Sequence, residues 1–178
     1  MTDSASTTNV EMTLSSKYRY LQRVSELGLV TPQTLLISKD GDQQAIEDFV
    51  KSTGARRFIV RSMNACEDGS EHSYAGHFWS SEAILADDIS STIQIANKNN
   101  QQVLLTLKID SVPQLMLQEY IEHSLGGVLF APWSFFSEYY YVEYSTESVQ
   151  EVVAGNATPA VLSLNAKLVF PRFHGQNN

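Results

Sequence analysis

The stretch IVRSMNACEDGSEHSYAGHFWSS, residues 59–81, concentrates the side chains able to do chemistry. Arg61 closes a β-branched apolar run, and Gly69, Ser70, Ser73, Ala75 and Gly76 follow it. A guanidinium forks two oxygens of an anion, while small residues let backbone N–H groups approach others, so this spacing suits a phosphate cradle. Glycine and serine also build ordinary loops, and composition alone leaves both readings open. Residues 63–81 hold few apolar anchors, and connections of that length are usually functional in compact domains.

Other reactive types read more plainly. His72, His77, His123 and His174 fall in no zinc-ligand spacing, so they are solvated or packing histidines. Cys66 has no base placed beside it by sequence and reads as a small side chain rather than a nucleophile. The aromatic run 133–144 has no interleaved basic residue, which argues against a base-stacking platform and for a strand near a sheet edge. Glu138, Glu143 and Glu147 carry the spacing of a hydrated surface.

These residues need elements to hold them. Residues 1–13 are rich in Ser and Thr and too poor in apolar surface to order, which predicts a flexible arm. Ser15 or Ser16 can cap a helix with Tyr20, Leu21, Val24 and Leu27 inward, ended by Gly28. TLLIS at 34–38 predicts a strand, and DGD at 40–42 leads into a helix with Ile46, Phe49 and Val50 inward, stopped by Gly54. RFIVRS at 57–62 is an interior strand that delivers Arg61. A helix is expected at about 86–98, with Ile89, Ile93 and Ile95 or Ala96 inward. Strand-like runs follow at 103–107, 114–121, 126–132, 139–145, 150–155 and 160–170. Early helices and late strands predict an α+β fold.

The chain has 178 residues, 43% of them apolar, which suits one domain of ordinary size. Its 12 Lys and Arg against 20 Asp and Glu leave a formal charge of −8, which repels nucleic acid and anionic membrane surfaces. The N-terminus has no basic n-region or apolar h-region, and the single cysteine agrees with a reducing compartment. Cytoplasmic location is the expectation.

VRS at 60–62, Ala65, Glu67 with Asp68, SYAG at 73–76, and Ser80 or Ser81 fall in the order of a known signature. The stretch resembles the ATP-grasp nucleotide-binding domain of phosphoenolpyruvate synthases, pyruvate phosphate dikinases and rifampicin phosphotransferases. KYRYLQRVSELGLVTPQTLLIS resembles that family's opening, which puts Lys17 in place of a lysine that reaches the nucleotide phosphates. LMLQEYIEHSLGGVLFAP resembles its strand, hinge and strand, and places Gln118, Glu119, Tyr120 and Ile121 at the adenine. Backbone groups of Glu119 and Ile121 would meet the base edge, with residues 67–77 as a lid over the phosphates. VEYSTESVQEVVAGNATP resembles a later family stretch, so the similarity runs from 15 to about 165.

The resemblance implies an ATP-grasp-like α+β domain at 14–170, followed by a tail at 171–178. A small N-terminal α/β lobe (about 14–100) and an antiparallel β-rich lobe (about 101–170) would bind ATP through Lys17, Arg61, Ser73, Ala75 and Gly76. Arg61 would be the catalytic cation. Family members add a Glu, eleven residues, a Gln, one residue and an Arg, which hold the metal ions. Glu138 and Gln150 fit the first spacing, but position 152 is Val; Glu82 and Gln94 also fit, but position 96 is Ala. Mg²⁺ needs oxygen ligands in fixed positions, so it is expected only if another chain or segment supplies them. Two readings follow: an ATP-binding domain serving a kinase or dikinase-type phosphotransferase with such a partner, or a non-catalytic interaction protein that keeps the fold.

Overall fold

In the computed structural model, the described residues are 15–38, 42–67, 74, 76–131, 139–146, 155 and 158–165. They form three α-helices and two antiparallel sheets, an α+β architecture. The chain divides into two compact units, residues 1–121 and 122–178. Among the described residues no helix is long and apolar enough to cross a membrane.

The first unit begins with α1 (Ser16–Glu26) and β1 (Thr34–Ile37). Ser15 occupies the N-cap position of α1 without a side-chain capping bond. Tyr20 and Leu27, expected inward, are 69% and 70% exposed; Leu21 and Val24 are half-buried instead. Lys17 lies one turn before Leu21 on this half-buried side, because its ammonium has a partner described below.

Helix α2 (Gln43–Thr53) starts where Asp42 accepts the Ala45 N–H at 3.2 Å, and it ends at Gly54, whose φ of 63° suits glycine. Ile46, Phe49 and Val50 pack inward as their spacing predicts. β2 (Arg57–Ser62) then alternates strictly, with Phe58, Val60 and Ser62 buried and Arg57, Ile59 and Arg61 on the opposite face. After β3 (Ile84–Leu85), a 3₁₀ turn at Ala86–Asp88 opens α3 (Ile89–Thr106).

The run 103–107, expected as a strand, is instead the end of α3 apart from Leu107, which caps it. The buried residues Ile89, Ile93, Ala96, Asn100 and Leu104 form one helical stripe, and Leu104 completes it. Asn100 hides the pattern from a reading by residue type, since it occupies an apolar position of the stripe. Ile95, offered as an alternative inward residue, is 51% exposed, and Ala96 takes the core position.

β4 (Leu115–Glu119) returns to pair antiparallel with both β1 and β2, so the strand order is β1-β4-β2-β3. This strand was expected in a later β-rich lobe beginning near 101. It belongs to the first unit because its inward residues Leu115 and Leu117 complete the core of Phe58, Val60, Ile89, Ile93 and Ala96.

In the second unit, β5 (Gly126–Phe130), β6 (Tyr139–Ser145) and β7 (Ala160–Asn165) form a three-stranded sheet in chain order. Most of the predicted strand 150–155 lies outside the described residues; Gly155 is in a turn.

Candidate functional site

The register of β2 against β4 determines what Arg61 can touch. Arg61 pairs with Met116 and Ile59 with Gln118, all four on the sheet face opposite the core. There the Arg61 Nη1 donates to Gln118 Oε1 at 3.3 Å. The Gln118 amide in turn donates to Thr34 Oγ1 at 3.0 Å, so a three-residue chain crosses β2, β4 and β1. Gln118 is 4% exposed with both ends of its amide engaged, so its carbonyl oxygen is held where the Arg61 guanidinium meets it.

The second cation is held separately. The Lys17 ammonium donates to Glu67 Oε2, and the other carboxylate oxygen accepts the Asn64 N–H at 3.0 Å. Glu67 ends the 3₁₀ turn Ala65–Glu67 and is 2% exposed, whereas a third of the Lys17 side chain reaches solvent. A carboxylate buried this deeply needs a cation and donors, and Lys17 and Asn64 supply them. An ammonium has three donors, so Lys17 keeps donors for an external anion.

Glu67 is therefore a structural hub as well as a motif residue. Its backbone carbonyl accepts the Tyr74 N–H at 3.1 Å, which brings both ends of residues 67–74 together. Gly76 has φ 81°, a left-handed turn conformation that favours glycine, beside the His77 N–H donated to the Tyr74 carbonyl at 3.1 Å. Gly69, Ser70, Ser73 and Ala75, the other predicted cradle residues, lie outside the described residues.

Further along, hydroxyls replace a missing strand. β3 pairs only with Arg57 and Phe58, so the N–H groups of Val60 and Ser62 donate to Ser81 Oγ at 2.9 Å and Ser80 Oγ at 3.3 Å. Asn100 fixes the neighbouring residue: its Oδ1 accepts the Trp79 N–H at 2.7 Å, and its Nδ2 donates to the Trp79 carbonyl at 3.2 Å. A buried amide in a helix stripe offers no sequence signal that separates it from a surface asparagine.

At the predicted hinge, Tyr120 lies under the Arg57 guanidinium, 4.5 Å from the ring centre, and its N–H donates to the Arg57 carbonyl at 2.9 Å. The Glu119 N–H, one of the groups expected near a base, donates to the Gln33 carbonyl at 3.0 Å. The Glu119 side chain accepts the Gln33 N–H at 3.0 Å, so both groups brace β1. Ile121 is the last residue of the first unit.

Cys66 sits in the 3₁₀ turn, where burial raises its thiol above the ordinary value and the Glu67 charge adds to the rise, against a lowering backbone hydrogen bond. That direction is the reverse of thiol activation. No group of three or more His, Cys, Asp and Glu among the described residues is arranged to hold a metal ion. No family model, curated protein or solved structure matches the chain.

Proposed function

We propose that this chain is an ATP-binding domain of the kind found in pyruvate phosphate dikinases and phosphoenolpyruvate synthases. Phosphoryl transfer would require metal ligands from another chain or segment. One observation carries the reading: Arg61 and Gln118, which come from two separate motifs of the resemblance, meet at 3.3 Å on one sheet face. A third motif joins them in kind, since Lys17 from the opening segment pairs with Glu67 of the central one.

Two features support a nucleotide near these residues. Arg61 on the sheet face and Lys17 beside Glu67 each retain N–H donors beyond those used internally, and phosphate oxygens are their natural acceptors. Half-buried Ile59 lies beside Gln118 and offers an apolar surface to a base. Among the described residues Glu67 is committed to Lys17 and Asn64, so no Mg²⁺ ligand and no catalytic step are assigned to it.

Thermal denaturation with and without Mg-ATP tests the proposal, since a native-state ligand at a hundredfold excess over its Kd stabilises by about 2.7 kcal/mol. A shift that Arg61→Ala removes is the expected result. The second reading, a non-catalytic interaction protein with an ATP-grasp-like fold, draws on the fact that both cations already have internal partners. It predicts no shift with ATP, ADP or AMP.

A further inference from the structure

Helix α1 opens without the side-chain bond that usually closes a helix start. Ser15 has the extended backbone of an N-cap, with φ −61° and ψ 154°, and its carbonyl accepts the Arg19 N–H at 3.2 Å. An N-cap serine normally turns its hydroxyl back to accept an N–H of the first turn. The Ser15 Oγ makes no such bond and has no other hydrogen-bond partner, although the residue is only 1% exposed. Buried polar atoms are nearly always paired, because an unmade bond leaves the desolvation of the group uncompensated. The first N–H groups of a helix also lack acceptors within it. The start of α1 is thus open to an acceptor from outside the helix.

Neighbouring groups set the charge that suits it. Two residues on, Lys17 donates to Glu67 and keeps donors for a second acceptor. Asn64, whose N–H bonds the same carboxylate, is 2% exposed and has an unpaired Nδ2, since the Gln114 N–H takes its Oδ1 at 3.0 Å. Gln114 Oε1, the other unpaired buried side-chain atom among the described residues, is an acceptor and is given no place in the site. A metal ion would meet an ammonium and amide N–H groups, which donate and do not ligate. An anion with several oxygens accepts from all of them, and the positive end of the helix dipole adds to the attraction.

We infer that the N-terminus of α1 binds a phosphate group, with Ser15 Oγ and Lys17 Nζ as its side-chain donors. Asn64 Nδ2 extends the donor set toward the Glu67 turn. The inference deepens the nucleotide reading and rests on it for the source of the phosphate; free pyrophosphate carries the same chemistry. The ligand approaches along Lys17, a third of whose side chain reaches solvent. Because the hydroxyl is withheld from the helix, it bonds the incoming oxygen without giving up an internal partner.

Amide chemical-shift titrations of the full chain with pyrophosphate and, separately, with ATP at constant ionic strength test this. Saturable shifts of the Ser16, Lys17 and Tyr18 N–H groups are expected with both. Ser15→Ala should weaken pyrophosphate about tenfold, the usual effect of losing a hydrogen bond to a charged group. Without anion, the same variant should unfold at an unchanged or higher urea concentration, because it loses an unpaired buried hydroxyl and no capping bond. Pyrophosphate binding without ATP binding would keep the site and overturn the nucleotide reading. An ATP-induced thermal shift with silent α1 amides, full pyrophosphate affinity in Ser15→Ala, or a variant destabilised as by ordinary loss of a cap would each overturn the α1 site.

Discussion

The Lys17 ammonium, in the first turn of α1, pairs with the buried Glu67 carboxylate 50 residues later. This contact ties a helix with a largely exposed surface to the turn that follows β2. Glu67 also receives the Asn64 backbone N–H, but removing Lys17 takes away the cation that faces this buried charge. Lys17→Met should cost about 2 kcal/mol in urea denaturation, below the ~3–5 of fully buried pairs because water reaches the ammonium. A double-mutant cycle with Glu67→Gln should show coupling above about 1 kcal/mol, and additive effects would dismiss the pair as a stabilising contact.

Arg61 contributes little to stability on the geometry of its contact. Its bond to Gln118 is long, at 3.3 Å, and the side chain is half-buried. Arg61→Ala should change stability by less than about 1 kcal/mol while eliminating the thermal shift produced by Mg-ATP. An intact shift in this variant would remove Arg61 from nucleotide binding.

Asn100 has the opposite profile. It is fully buried and satisfies both backbone groups of Trp79. Asn100→Ala removes the partner of both backbone groups of half-buried Trp79 and should destabilise the protein by about 1–3 kcal/mol, measured by chemical denaturation. Asn100→Leu should fare no better, although leucine suits the helix stripe, because the orphaned groups belong to the loop and not to the helix.

Cys66 should react slowly. With its folded value raised by burial, less thiolate is present at a given pH than in the unfolded chain, so alkylation by iodoacetamide should be slower in the native protein and speed up on unfolding. The linked stability term has a definite sign. It is fully present below the unfolded thiol value and is lost as pH rises through the folded one. Native alkylation as fast as in urea would contradict the burial.

The second helix was legible in the sequence because its signals are local. Asp42 caps it, Ile46, Phe49 and Val50 recur at helical spacing, and Gly54 ends it in a conformation glycine favours. The alternation of β2 was equally readable, and with it the placement of Arg61 opposite the core. Residues 103–106 were misread because the stripe that makes them helical passes through an asparagine.

Amino-acid order alone therefore determined the mixed α+β class, the α2 cap and stop, and the strand that carries Arg61. Only the tertiary structure decided that β4 inserts between β1 and β2, that Arg61 meets Gln118, that Lys17 serves Glu67, and that Asn100 belongs inside. Periodicity and capping act over a few residues and leave a mark in the chain. Strand insertion and the burial of a charge or an amide depend on partners some 20 to 60 residues away, and their free energy exists only once those partners meet.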